Sequence, residues 1–290
     1  MGCGNRKDEE MKSNKSYLLF ALPSAILFIF AIVIPFIMGI NIAFTDWDGI
    51  SQTYNYNGLQ NFKTFFTDKS VLQPIKNTFI YGIGYTGLNN ILSLILALLL
   101  NRWIKGSKVL KTVFFIPMVL SSVLAAFVWG FIYKDVFSAV FGIHSLLGNP
   151  STVISGIIVI ALWNAVGSNL IIYMAGLDNI PDMYYEASAI DGATLWQQFR
   201  YVTLPMLIPT FTICITLTFT TALREFGTVM AATGGGPAGS SETLAIYIYK
   251  NLFSFQKAGY GQAVSFVFMV MLALIGTLML RFFRRREVEY

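Results

Sequence analysis

Charged residues vanish from long stretches of this chain, and the stretches have the length of a bilayer crossing. No charge falls between Lys15 and Asp46, between Lys76 and Arg102, or between Lys111 and Lys134. A longer uncharged stretch from Val136 to Leu177 is interrupted by Gly148-Asn149-Pro150, a turn signal. A helix needs about 20 apolar residues to cross a hydrocarbon core roughly 30 Å thick. The pattern therefore predicts about six transmembrane helices: near 18–42, between Lys76 and Arg102, between Lys111 and Lys134, near 152–176, near 205–230 and near 261–280. The first is too long for a signal-peptide core and lacks a small-x-small cleavage site, so it is read as retained. Pro23, Pro35, Pro117 and Pro209 predict kinks or helix starts, which membrane helices tolerate.

Composition settles the second solvent. Apolar residues make up 55% of the 290 positions and charged residues 12%, with a mean hydropathy of +0.62. A soluble domain carries about 25% charged residues, so too few charges remain to solvate such a fold. The net charge is +5, yet the basic residues form no stripe with interleaved aromatics, which excludes a nucleic-acid partner. They cluster beside the apolar runs. With the N-terminus inside, thirteen Lys and Arg fall on inside segments, among them Arg6, Lys7, Lys105, Lys108 and Arg284-Arg285-Arg286, against six outside. Both termini are therefore predicted to be cytoplasmic. The chain divides into a tail (1–16), a transmembrane domain (17–283) and a basic tail (284–290).

Cys3, Cys214 and the single His144 offer no disulfide framework, metal set or proton relay. The start Met1-Gly2-Cys3-Gly4 has Arg6 where myristoylation needs Ser or Thr, so the tail reads as solvated. No catalytic constellation is found.

One inside segment, 178–205, differs from the rest. It is acidic, with Asp178, Asp182, Glu186 and Asp191 against a lone Arg200. Small residues follow Glu186 as a short surface helix, Gly192 marks a turn, and Leu195, Trp196 and Phe199 form an amphipathic continuation. A helix resting on an anionic leaflet is usually basic, so an acidic one suits a protein partner.

The segment Glu186-Ala187-Ser188, three residues, Gly192, nine residues and Val202-Thr203-Leu204-Pro205 resembles the EAA loop of binding-protein-dependent ABC importer permeases. Ser188 stands for the second alanine and Val202 for the isoleucine. Three further stretches resemble the carbohydrate-uptake branch and its maltose-type first permease. They are Gly58-Leu59-Gln60-Asn61-Phe62 with Asn77-Thr78, the stretch around Ile180-Pro181 and Tyr185, and Thr233-Gly234-Gly235-Gly236-Pro237 followed by Ser240 to Leu244. The resemblance implies an all-α type I importer permease fold in a bacterial cell membrane, moving a sugar or sugar-like solute. It implies that Glu186, Ala187, Ser188, Asp191, Gly192 and Leu195 couple the chain to an ATPase. It further implies a second homologous permease, two cytoplasmic ATPases that hold the ATP and magnesium, and an extracytoplasmic solute-binding protein. The glycine-rich stretch lacks the Gly-Lys of a phosphate-binding loop, so no cofactor is assigned to this chain.

Polar residues inside spans are costly and mark candidate sites. By position, the resemblance assigns the solute site to Trp163, Asn164, Ser168, Thr218, Thr221 and Glu225, and Asn169 is a further candidate. The competing account is that such residues bond between packed helices. Arg224 reads as a snorkelling side chain or a solute contact; Asn89-Asn90 are similarly open. The alternative function is an ion-coupled secondary transporter, which calls for inverted repeats and midplane carboxylates. Neither is found in the sequence. A membrane-embedded enzyme would want clustered His, Asp or Cys, which is also missing.

Overall fold

A computed structural model describes residues 21–102, 107–142 and 146–284; most of both tails and His144 lie outside them. Every regular element in the described residues is helical, apart from one isolated bridge between Thr45 and Tyr56. The residues group into two compact units, 21–66 with Asn251–Phe266, and Thr67–Lys250 with 267–284.

In the first unit, α1 (Ala21–Ala43) is apolar on all sides, and its most apolar stretch buries nothing against the rest of the chain. That leaves lipid or another protein to cover it. A π-helical stretch, Ile29–Val33, relieves the backbone just before Pro35, where the ring removes a donor. The last carbonyls of α1 need outside donors. Asn61, at the start of α2 (Gln60–Thr67), supplies them: its amide donates to the carbonyls of Ala43 at 2.9 Å and Thr45 at 2.8 Å. After α1 the chain turns through Asp48, whose carboxylate accepts from the Ser51 hydroxyl and from the amides of Ser51 and Ile50. These bonds lower its pKa from 3.8 to about 2. A lowered pKa stabilises the turn above the ordinary carboxylate range, and that contribution is lost as pH falls through about 2.

The second unit is built on α3 (Leu72–Arg102) and α6 (Val153–Asp178), which pack along each other. Their core contains Tyr81, Tyr85, Ile157 and Ala161 toward one end, and Ala97, Leu170, Tyr173 and Leu207 toward the other. Here the structure departs from the predicted spans. The apolar run between Lys111 and Lys134 is two helices, α4 (Ser107–Val119) and α5 (Ser122–Phe141). Pro117 cannot continue the hydrogen-bond ladder, and Ser121 restarts the helix by accepting from the Leu124 amide. Lys134 does not end that span but lies within it. The run near 205–230 is likewise divided. After α7 (Asp182–Ile190), α8 (Leu195–Met206) meets α9 (Ile208–Leu223) at a 66° bend beside Pro209. Met230 belongs to a separate short helix, α10 (Gly227–Thr233). Then come α11 (Leu244–Tyr249) and the last span, α12 (Ala258–Arg284). Among the described residues, five helices are long and apolar enough to cross a membrane, six if the bent pair is one span.

The glycine-rich stretch is tied down. The Asn77 amide donates to the carbonyls of Gly239 and Glu242, both at 3.0 Å, and the Thr78 hydroxyl accepts from the Leu244 amide at 2.8 Å. The Asn-Thr pair and the Thr-Leu element, separated by more than 160 residues, thus hold each other.

Candidate functional site

Helix α7 begins at Asp182, so the acids Asp182 and Glu186 lie in its N-terminal half. Pro181 precedes it with the extended backbone that a preceding cap residue needs, and Asp182 sits where the helix dipole favours an acid. The helix ends at Asp191, and Gly192 turns the chain with φ +77°. A capping box follows: the Thr194 hydroxyl accepts from the Gln197 amide while the Gln197 side chain accepts from the Thr194 amide. Two tethers fix this loop to the membrane helices. Ile180 is buried in the core with Leu177, and the hydroxyls of Tyr185 and Thr203 hydrogen-bond at 3.0 Å. Sequence reasoning noted Tyr185 only as part of the resemblance and gave Thr203 no role.

Most of α7 and the start of α8 is exposed. Glu186, Ala187, Asp191, Gly192 and Leu195 are exposed, and Ser188 is half-buried with its hydroxyl on the Tyr185 carbonyl. Ile190 is 87% exposed and Trp196 66%, with Met183 and Tyr201 also open. Below them a cleft of about 400 Å³ is lined by Leu98, Asn101, Leu177, Tyr185 and Phe199. Large apolar side chains displayed beside acids mark a surface made for a protein partner.

The intramembrane candidates fall into three arrangements. Asn169, only 5% exposed, donates to the Thr218 hydroxyl at 2.8 Å and toward the side-chain oxygen Oδ1 of Asn90 at 3.5 Å. Tyr173 donates to that same Asn90 oxygen at 2.7 Å. These four residues join α3, α6 and α9. Asn164 works at the α4–α5 break, its amide donating to the carbonyls of Pro117 at 2.7 Å and Leu120 at 3.2 Å. Glu225 works at the other break, accepting from the Thr228 amide at 2.7 Å. Trp163 packs edge-on against Trp129, ring centres 6.0 Å apart. Ser168 and Thr221 are exposed, and Ser168 donates to its own helix at Ala165. Arg224 is exposed and donates to the Thr220 carbonyl. No group of three metal-ligating side chains occurs among the described residues.

The joint at Asn169 carries a prediction. In a double-mutant cycle, Asn169→Leu and Thr218→Val should couple by about 0.6–1.7 kcal/mol, read from unfolding in detergent. Additive single effects would show that the bond contributes nothing.

Residues 89–288 match the pattern of the family described as binding-protein-dependent transport system inner membrane component. The chain belongs to that family. This inner-membrane component is 31% identical to the probable starch degradation products transport system permease protein AmyD of Thermoanaerobacterium thermosulfurigenes, over 98% of this chain and 99% of that protein. It is 29% identical to the multiple sugar-binding transport system permease protein MsmF of Streptococcus mutans, over 93% and 95%. Among solved structures, it resembles a chain of a bacterial ABC transporter that imports the acidic polysaccharide alginate. There the TM-score is 0.84 at 22% identity, over 97% of this chain and 99% of that one. The MetNI methionine transporter gives a TM-score of 0.58 at 17% identity, over 74% and 95%. The fold is thus that of an ABC importer permease, a multi-pass inner-membrane protein. Family membership decides against the ion-coupled secondary transporter.

Proposed function

We propose that this permease is the translocation subunit of an ATP-driven importer for a sugar or sugar-like solute, working beside a second, homologous permease. Two cytoplasmic ATPases bind ATP and magnesium and receive the loop 178–205, and an extracytoplasmic binding protein delivers the solute. The observation that carries this reading is the loop itself. It exposes Ile190, Trp196 and an acidic edge while Ile180, Tyr185 and Thr203 bind its base to the core. The loop contains α7 and nearly all of α8, and joins the end of α6 to the start of α9. A displacement of its tip is therefore passed to two spans at once. Glu186, Ala187, Ser188, Asp191, Gly192 and Leu195 form the docking face.

The solute class is supported by the relatives, whose names carry starch degradation products and multiple sugars. We place the solute against Trp163, Ser168 and Thr221. Asn164 and Glu225 lie at the two helix breaks. An aromatic face with hydroxyls and a carboxylate suits a ring rich in hydroxyl groups. In the reconstituted importer, Trp163→Ala should abolish stimulation of ATP hydrolysis by solute and leave basal hydrolysis in place. An unchanged solute response would move the site elsewhere.

The overall reading is tested by uptake. Cells lacking this chain should lose uptake of one saccharide from a labelled panel and regain it with the wild-type chain. Glu186→Lys, present at equal membrane level, should not restore it. Restoration by Glu186→Lys at the wild-type rate, or loss confined to a non-saccharide solute, would overturn the proposal.

A further inference from the structure

The outer end of α1 carries a folded aromatic cap that the transport reading leaves unused. The chain leaves Ala43, bridges Thr45 to Tyr56, and closes the loop with Asp46 amide to Asn55 carbonyl at 3.0 Å and Asn57 amide to Phe44 carbonyl at 2.9 Å. Several polar groups inside the loop bond one another. Asp46 accepts from the Asn55 amide at 2.7 Å, Asp48 holds the Ile50–Ser51 turn, and the Trp47 ring nitrogen donates to the Ser51 carbonyl at 2.8 Å. Its exposed surface mixes the polar Asp46, Ser51, Gln52, Thr53 and Asn55 with large apolar and aromatic side chains: Ile50 at the tip, 70% exposed, with Tyr54, Leu59 and Tyr56, the last 67% exposed.

Two geometric facts select the occupant of this face. The Tyr56 hydroxyl donates to Asn41 at 3.0 Å, and Asn41 lies in the last turn of α1. The exposed ring is thereby held at the depth where the span leaves the hydrocarbon. Second, the Trp47, Tyr54 and Tyr56 rings meet at 57° and 72°. They offer edges and corners, not the flat platform on which a sugar ring stacks. A bilayer interface requires no flat surface. It rewards amphipathic rings held at headgroup level.

We propose that residues 44–59 are an outer-leaflet anchor, with Trp47, Tyr54, Tyr56 and Ile50 seated in the headgroup layer of the bilayer. The anchor fixes the depth of α1, whose most apolar stretch contains no buried residue.

The test places a nitroxide label at Ile50→Cys in the full chain, with Cys3→Ser and Cys214→Ala, in phospholipid nanodiscs. Collisions with oxygen, which partitions into lipid, are compared with those of a water-soluble nickel chelate. A label at Ser151→Cys, in an exposed loop, gives the aqueous reference. A label at Phe30→Cys in the middle of α1 gives the hydrocarbon reference, so failure of the spanning assignment would show there and not at residue 50. The oxygen-to-nickel ratio at residue 50 is expected to exceed that at residue 151 by about tenfold, an energy difference of about 1.4 kcal/mol. Tyr54→Ser with Tyr56→Ser should bring it down toward the aqueous value. A ratio equal to that at residue 151 would overturn the anchor. So would a label open to nickel in bare nanodiscs and shielded only when the extracytoplasmic binding protein is added, which would make the cap a protein-docking surface. A high ratio indifferent to both tyrosine changes would overturn the role of the rings.

Discussion

Gly167→Ala should cost this permease about 1–3 kcal/mol of stability, while Gly87→Ala and Gly130→Ala should leave it unchanged or slightly firmer. All three glycines lie within helices, and alanine is the better helix former by up to about 1 kcal/mol. The surroundings decide the sign. A methyl at Gly167 would lie 2.5 Å from the Phe114 carbonyl oxygen and 3.1 Å from the Phe115 ring. The oxygen is main chain of α4 and cannot swing aside, so α4 must move away from α6. At Gly87 and Gly130 the same methyl meets nothing within 4 Å. In lipid, helices are held by close van der Waals packing and a few polar bonds, because the tails are as apolar as leucine. Opening this contact also pulls on the Asn164 amide, which reaches from α6 to the carbonyls at the α4–α5 break. Unfolding in detergent and abundance in the membrane are the measurements. A Gly167→Ala protein as stable as Gly130→Ala would mean that α4 rides loosely on α6.

The spans were legible because a run of some twenty uncharged, mostly apolar residues fits little besides a bilayer crossing. The short helix and turn of the loop 178–205 were legible because acids, small residues and a glycine recur there at fixed spacing. The breaks at Leu120–Ser121 and at Arg224–Phe226 were not. Composition stays apolar across the first, and its signals are one proline and one serine cap, each common in unbroken membrane helices. At the second, Glu225 and Arg224 were visible, but nothing in the sequence says that the Glu225 carboxylate also accepts from the first turn of a new helix. Asn61 and Asn77-Thr78 stood out as a motif without a role. Structure supplies the role, since each ties main chain distant in sequence, and such pairings have no local trace. The same limit explains Asn169. A buried amide bonded to Thr218 on another helix and one lining a pathway have the same spacing and the same polarity. Only knowledge of which face each helix turns inward separates them.

Gly192 offers the sharpest functional contrast. Gly192→Val should lower uptake roughly 5- to 30-fold, and Gly192→Asn should keep it within about twofold of wild type. The residue holds φ at +77° between α7 and the capping box of α8. A side chain with a branched Cβ pays roughly 1–2 kcal/mol to stay there, whereas asparagine enters this region readily. No atom lies within 4 Å of a Cβ built at Gly192, so neither change disturbs packing, and both proteins should reach the membrane in normal amounts. The strain is instead relieved by redirecting the chain between the docking helix and Leu195-Trp196. That changes the angle at which Ile190 and the acidic edge meet the partner, while the Tyr185–Thr203 tether stays in place. Uptake per permease in membranes of matched abundance is the measurement. Equal loss in both variants would show that space around the loop matters and not its backbone angle. Equal retention would show that the turn adapts, and that docking does not depend on a fixed path between the two helices.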